Sequence, residues 1–415
     1  MMKKVIVIGA GPAGMMAAAT AAENGAQVIL LEKKAQVGKK LEITGKGRCN
    51  ITSALENNFT GAYPRNGKFL FSALNEFSNF ELINFFNSRG LMTKVERGKR
   101  VFPVTDNAKD VVKVLYENLV QAGVTLHTNA AVQKILVKSN KITGLATDEM
   151  EYSCDAVIVA TGGMSYPGTG STGDGYIWAK DLGHTIVELR PSLVPLVTQE
   201  KWVRDLKGLS LKNVQVTLFQ VDGKKMGEEF GEMLFTHFGV SGPIILSLSS
   251  NVSDYFAQYK KEAKLFIDLK PALDEDMLEN RLQRDFAKFS RKQFKNSLDQ
   301  LLPKKLIPLM ISLSEIDGDK QVHQITRAER KRLLGLLKQF PLTITGTRPI
   351  KEAVVTAGGV DVKEVDPKTM ESKIISSLFF AGEVLDVDGY TGGFNLQAAF
   401  STGFVAGKYA SGLYS

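Results

Sequence analysis

Residues 9–14 read Gly-Ala-Gly-Pro-Ala-Gly, and an apolar run at 28–31 ends on Glu32. These residue types at this spacing suit the pyrophosphate and ribose of a dinucleotide. Gly9 permits a tight turn, Gly11 lets the backbone approach a pyrophosphate, and Gly14 lets a helix pack closely on a sheet. Ala13 lies in the same turn, which opens a helix whose free N–H groups and positive dipole end face the phosphates. Glu32 follows about 20 residues on, where a carboxylate accepts the ribose hydroxyls. A chance glycine pattern is the competing reading. It is disfavoured because an apolar strand at 5–8 precedes the turn and an alanine-rich run follows it.

Three more glycine-bearing segments fall at predicted strand ends: 160–163, 356–359 and 382–393. Ligands of open α/β sheets bind outside the carboxyl ends of strands. Several converging ends imply a long ligand gripped at many points, which suits FAD better than NAD. Gly382 and Glu383 follow an apolar strand and are placed to meet the ribityl or pyrophosphate region, unless Glu383 is a plain surface acid. Gly393 and Phe394 open the last helix. Backbone N–H groups of Asn395 and Leu396 there can stabilise negative charge on a reduced flavin, against the plainer reading of an ordinary helix start. Lys40, Arg48 and Asn50 lie in the loop after the second strand, where a cation can neutralise pyrophosphate or reduced flavin; solvated loop charge is the alternative. The backbone of Val132 can edge the adenine, or Val132 is simply a core residue.

Acid–base candidates are few. His237 sits in a glycine-rich segment and Tyr166 beside Pro167; each can serve as a proton donor, and each has a structural reading. His127, His184 and His323 read as structural, and no spacing suggests a metal site. The two cysteines, Cys49 and Cys154, form no CxxC pair, so small packing roles are expected in a reducing cytoplasm. A second GxGxxG spans 168–173, with Glu188 beyond it. The preceding strand ends near Ala160, so this turn fails the strand–turn–helix test for a separate nicotinamide domain.

Chemistry of this kind needs a doubly wound sheet to hold it. Helices are expected over 67–90 and 107–122, a small antiparallel meander over 124–128, 131–138, 141–147 and 150–153, and a buried strand at 155–160. Strand texture at 193–198, 213–222 and 264–269 gives way to charged, helix-periodic sequence over 273–339. The expected fold class is therefore α/β: a Rossmann-like FAD-binding domain (1–190 and 345–415) with an inserted β-barrel-like domain (191–270) and a helical subdomain (271–344). The 415 residues carry a net charge of +8, partly concentrated at 281–305 and 327–338. No aromatic-interleaved basic stripe accompanies it, so a solvated surface is favoured over a nucleic-acid partner. No apolar stretch reaches membrane-spanning length. The lysine-led N-terminus fails as a signal peptide because glycine and proline interrupt the apolar run.

The chain resembles the HI0933-like, or BaiN-like, FAD-dependent oxidoreductases within the glutathione-reductase-type FAD fold. The resemblance rests on residues 9–14, Glu32-Lys33, 45–52 (Gly-Lys-Gly-Arg-Cys-Asn-Ile-Thr), 160–167 with Ala160, Thr161 and Gly162, 172–175, 236–243, 356–359, 381–383 and 392–397. It implies FAD, with residues of these segments (Lys33 among them) around it, and the β-barrel-like and helical insertions. It also implies redox chemistry on a small organic substrate. Related proteins include NAD(P)H-linked reductases of activated C=C bonds and amine oxidases of the aminoacetone-oxidase type. The reductase reading is preferred, with NAD(P)H docking transiently as electron donor and substrate held between the FAD domain and the insertion. Rivals are an oxygen-using flavin amine oxidase, an RNA-associated flavoprotein and a flavin-binding module without catalysis. The expected location is cytoplasmic, and the sequence leaves the oligomeric state open.

Overall fold

The computed structural model describes residues 2–57 and 59–413. It divides into two compact units, Met1–Pro191 with Ile350–Ser415, and Ser192–Pro349.

Among the described residues, the first unit is built on a five-stranded parallel sheet. Its order is Leu378–Phe380, Ala156–Val159, Lys4–Ile8, Gln27–Glu32, Thr125–Thr128. Val5, Val7, Leu30, Val157, Ile158 and Phe380 are fully buried, as a parallel sheet covered on both faces demands. The helix Pro12–Glu23 crosses from the first strand to the second. It packs against the last helix, Phe394–Ala410, with almost no side chain between: a Cβ at Gly403 or Gly407 would lie 2.3 Å from the carbonyl of Ala13 or Ala17. Small residues four apart on one helix face permit this backbone contact.

Two sequence expectations change here. Thr125–Thr128 does not belong to the antiparallel meander; it pairs in parallel with Gln27–Glu32. The helix Ala108–Gln121, directly before it, returns the chain to the sheet edge and delivers the strand in the parallel sense. The meander proper is Val132–Lys138, Lys141–Thr147 and Glu151–Ser153. The 67–90 stretch is broken into Gly67–Leu70, Phe71–Glu76 and Asn79–Ser88. Ser78 starts the last of these with a capping box to Glu81.

The second unit contains a closed barrel in the order Leu196–Thr198, Gly239–Ser241, Lys225–Phe235, Ser210–Phe219, Ala263–Asp268, Phe340–Thr347. The closing strand follows the helices Glu275–Lys288, Ile307–Ser314 and Arg327–Lys338 in sequence, so those helices are an excursion between two adjacent barrel strands. Pro243–Tyr259 is a helix inside the region whose texture reads as strands. Among the described residues, no helix is long and apolar enough to cross a membrane.

Gly403→Ala should lower thermal stability by about 1–3 kcal/mol, because the new methyl meets backbone that cannot yield. Gly335→Ala is the control: an added Cβ there meets nothing within 4 Å, inside the helix Arg327–Lys338. It should gain about 0.5–1 kcal/mol. Calorimetric melting of both variants checks the pair.

Candidate functional site

The glycine turn has the shape its spacing implies. Gly9 has φ 99°, and a Cβ on it would lie 2.7 Å from the Ala160 carbonyl. A Cβ on Gly14 would lie 1.8 Å from the Gly9 carbonyl, so strand, turn and helix approach backbone to backbone. At Gly11, by contrast, an added Cβ meets no atom within 4 Å. Gly11 caps the helix Pro12–Glu23 with no side-chain bond, and Pro12 takes its first position. Open space beside uncapped N–H groups is the setting an anion needs. Glu32 accepts the Ala10 N–H on Oε2 and the Lys34 N–H on Oε1, both at 2.8 Å, so its carboxylate is fixed beside the turn with lone pairs to spare.

The turn 166–173 folds onto the Glu32 end. A Cβ at Gly170 would meet Lys34, Glu32 and Lys33, and Lys33 pairs with Asp174 at 2.6 Å and bonds Thr172. The second GxGxxG therefore wraps the first nucleotide turn instead of opening one of its own. Ala160 is buried, and Gly162, at φ 71°, turns the chain below Ser171.

Distant segments meet at Glu383. Its Oε2 accepts from Lys40 Nζ at 2.9 Å; its Oε1 accepts from the Thr356 N–H at 2.8 Å and the Ser165 hydroxyl at 3.1 Å. Lys40 also donates to Ser165 at 2.8 Å. Burial pushes the Glu383 carboxyl up, but Lys40, the Thr356 N–H and Ser165 outweigh it and hold it below the usual carboxylate range. Gly163 lets Thr356 and Glu383 approach, and Gly382, at φ 76°, sits against Ala13 of the first helix.

The last helix starts at Gly393, φ 97°, pressed on the backbone of Thr52. No side chain caps it, so the N–H groups of Phe394, Asn395 and Leu396 precede the first intrahelical bond, which Gln397 makes to Gly393. The Asn395 side chain holds the preceding loop through two 2.8 Å bonds with the Gly389 backbone. Tyr63 donates to the Phe394 carbonyl at 2.8 Å. Asn50 Oδ1 and Thr161 Oγ1 are buried without a hydrogen-bond partner. Two uncapped helix starts, open space at Gly11 and two orphaned oxygens fit a long, polar, anionic cofactor.

The sequence profile of the HI0933-like protein Rossmann domain matches residues 3–409. The chain belongs to the HI0933-like family. It is similar to the 3-dehydro-bile acid delta(4,6)-reductase of Clostridium scindens, at 33% identity over 99% of both chains. It is also similar to the ribosomal RNA dihydrouridine synthase of Haemophilus influenzae, at 32% identity over 96% of both chains. Its fold matches the 3-ketosteroid delta1-dehydrogenase of Sterolibacterium denitrificans, with TM-score 0.52, 13% identity, and 99% and 100% of the two chains covered. The protein is an FAD-dependent oxidoreductase of Rossmann type.

Other residues singled out in the sequence of this HI0933-like chain have the following surroundings. Arg48 is engaged by Glu96 and Asp106 and lies over the Phe102 ring, 4.2 Å from its centroid. Its charge is matched by carboxylates, and the bonds to Glu96 and Asp106 hold its guanidinium pKa above the ordinary arginine value. Val132 is buried at the first position of the meander. Burial pushes the Cys49 thiol up to about 12 against a weaker pull from Thr44, which makes it a packing residue rather than a thiolate. His237 is exposed in the barrel unit, its ring edge-on to Phe238, and Tyr166 is 39% exposed in the 166–173 turn. Sequence reasoning missed one polar cluster, in which the buried Asp386 and Asp388 meet the partly buried Arg65 and the exposed Asn66. Arg65 bonds Asp388 at 2.8 Å, and Asn66 donates to Asp386. Its only sequence signal is two aspartates between an apolar strand and a glycine pair.

Glu383→Gln removes charge and keeps shape. Affinity for FAD should fall about tenfold or more, equivalent to about 1.4 kcal/mol, read by fluorescence titration. A carboxylate held low in the folded state stabilises above its unfolded value, and that contribution is lost as pH falls through the folded value. Wild type should therefore exceed the variant in stability at neutral pH, with the gap closing on acidification. A gap independent of pH would contradict this role for the charge.

Proposed function

We propose that this protein is an NAD(P)H-linked reductase of a carbon–carbon double bond conjugated to a carbonyl. The activities named for the two full-length relatives support it. One describes reduction of delta(4,6) bonds in a 3-dehydro bile acid, the other formation of dihydrouridine. Both are saturations of a C=C bond next to a carbonyl, although one acceptor is a small lipid and the other a base in RNA.

FAD, when bound, supplies hydride at its N5 position. The chain's own residues bind and orient. Gly11 and the first helix start would take the pyrophosphate, and Glu32 the ribose. Lys40 and Glu383 would fix the middle of the cofactor. The N–H groups of Asn395 and Leu396 would face the pyrimidine edge, where negative charge collects on reduction.

Anaerobic mixing with NADPH or NADH should bleach the flavin. A 3-oxo-Δ4 steroid or a uridine-containing ribosomal RNA transcript should then restore it faster than air does. Rapid reoxidation by oxygen with no reduction by either pyridine nucleotide would instead establish an oxidase.

The RNA acceptor has one further support. Residues 281–305 contain eight Lys or Arg against two Asp, and Arg284, Lys288, Arg291 and Lys292 are exposed. Phosphate neutralisation makes such binding fall steeply with salt. Changing these four residues to Glu should abolish salt-sensitive RNA binding in a mobility-shift assay and leave steroid-dependent turnover within about twofold. Unaltered RNA binding would favour the small-molecule acceptor.

A further inference from the structure

One histidine, His184, has a fully buried side chain. Its Nε2 is 2.9 Å from the Ser372 hydroxyl oxygen, and its Nδ1 is 3.3 Å from Glu364 Oε2. Serine, imidazole and carboxylate stand in the order of a hydrolase triad, but this serine is not available for attack. Ser372 is 7% exposed, and its oxygen accepts the N–H groups of Ile374 at 3.0 Å and Ile375 at 2.8 Å. A hydroxyl oxygen has two lone pairs, and both are taken. Ser372 has only its hydroxyl proton left for the ring, so Nε2 accepts it. The ring proton then sits on Nδ1, towards Glu364, and His184 is neutral.

The three residues fasten segment 361–377 to the first unit. Glu364 ends the turn Val362–Glu364, and its oxygens accept the Thr185 N–H and hydroxyl, each at 2.8 Å. Ser372 donates its N–H to the Leu378 carbonyl at 2.7 Å. The His184 ring stands edge-on to Phe380, with centroids 4.9 Å apart. Leu378–Phe380 is an edge strand of the parallel sheet, and Gly382 and Glu383 follow it closely in sequence. A proton on His184 Nε2 would set donor against donor. Relief requires Ser372 to give up an N–H of Ile374 or Ile375, and a backbone N–H left unpaired away from water is costly. Glu364 is the charged group that acts on the ring; Ser372 and Phe380 bring none. Burial pushes the imidazole down against an upward pull from Glu364, with the net effect downward. Burial pushes the Glu364 carboxyl up, but the Thr185 bonds and His184 outweigh it, so Glu364 stays charged.

We propose that His184, Ser372 and Glu364 form a proton-operated latch. With a neutral ring it holds segment 361–377 on the strand Leu378–Phe380, and a second ring proton opens it. In the opened segment the imidazole meets water and takes up a proton near its ordinary value of about 6.5. The closed latch resists that proton, so opening binds one. The closed state is therefore favoured above the ordinary histidine value and loses stability as pH falls below it.

Amide hydrogen exchange of the FAD-loaded protein tests this, with each amide corrected for its intrinsic rate. Protection of the Ile374 and Ile375 amides should fall about threefold or more between about pH 7.5 and about pH 5. A smaller fall overturns the proposal. His184→Gln keeps an acceptor for the Ser372 hydroxyl and cannot be protonated. Its protection at those amides should agree within about twofold across the same range. A larger fall in H184Q assigns the response to another group and overturns the latch. Nitrogen NMR of the wild-type histidines should show His184 protonated on Nδ1 and bare on Nε2 at about pH 7.5. A proton found on Nε2 overturns the donor count on which the latch stands. Should H184Q not fold, the two wild-type measurements decide.

Discussion

One carboxylate ties the first unit together. Glu383 binds Lys40, 343 residues away in sequence, together with Ser165 and the Thr356 N–H. Each partner comes from a different segment: Lys40 from the helix Lys39–Ile43, Ser165 from the loop after Ala156–Val159, and Thr356 from the strand Val355–Val360. Bringing a charge out of water is costly, and it is tolerated where several donors already point at it. Here the donors are one ammonium, one hydroxyl and one backbone N–H. Removing any segment from its place leaves charge or dipole unmatched, so the segments are held in mutual register. The glycines follow from the same demand. Gly163 and Gly382 lack side chains because Thr356 and Ala13 occupy the space a Cβ would need.

That constraint explains what the sequence made legible. Backbone contact at close range requires glycine, and glycine spacing survives as a readable pattern. Gly9, Gly14 and Glu32 announced the turn, and the apolar runs at 5–8, 28–31 and 156–159 announced a parallel sheet buried on both faces. The Rossmann-type FAD fold and the family were therefore accessible from residues alone. Lys40 and Glu383 were recognisable as candidates, but their meeting was not. A pairing across most of the chain leaves no local trace in composition or period.

Other features were hidden for physical reasons. Thr125–Thr128 is short and only partly buried, so its alternation cannot distinguish a sheet edge from a meander. Lys225–Phe235 exposes Glu228 and Glu232 along an otherwise plain strand, and the barrel closes on Phe340–Thr347 only after a helical excursion. Arg48 was recognisable as a candidate cation, but its pairing with Glu96 and Asp106, 48 and 58 residues away, leaves no local trace. A loop arginine and a paired arginine have the same letter.

Asp386 stands against Glu383 as a pair of opposites. Both are largely withdrawn from water, on one short connection. Glu383 faces an ammonium and two further donors, and its carboxyl is held low. Asp386 has one amide donor, an unpartnered oxygen and the negative Asp388 nearby, and its carboxyl is pushed high. Environment therefore pushes two like groups in opposite directions. A permanent anion at Glu383 suits cofactor binding, which must not vary with protonation. The second carboxyl answers first to its own burial and then to Arg65, Asp388, Asn66 and Arg190.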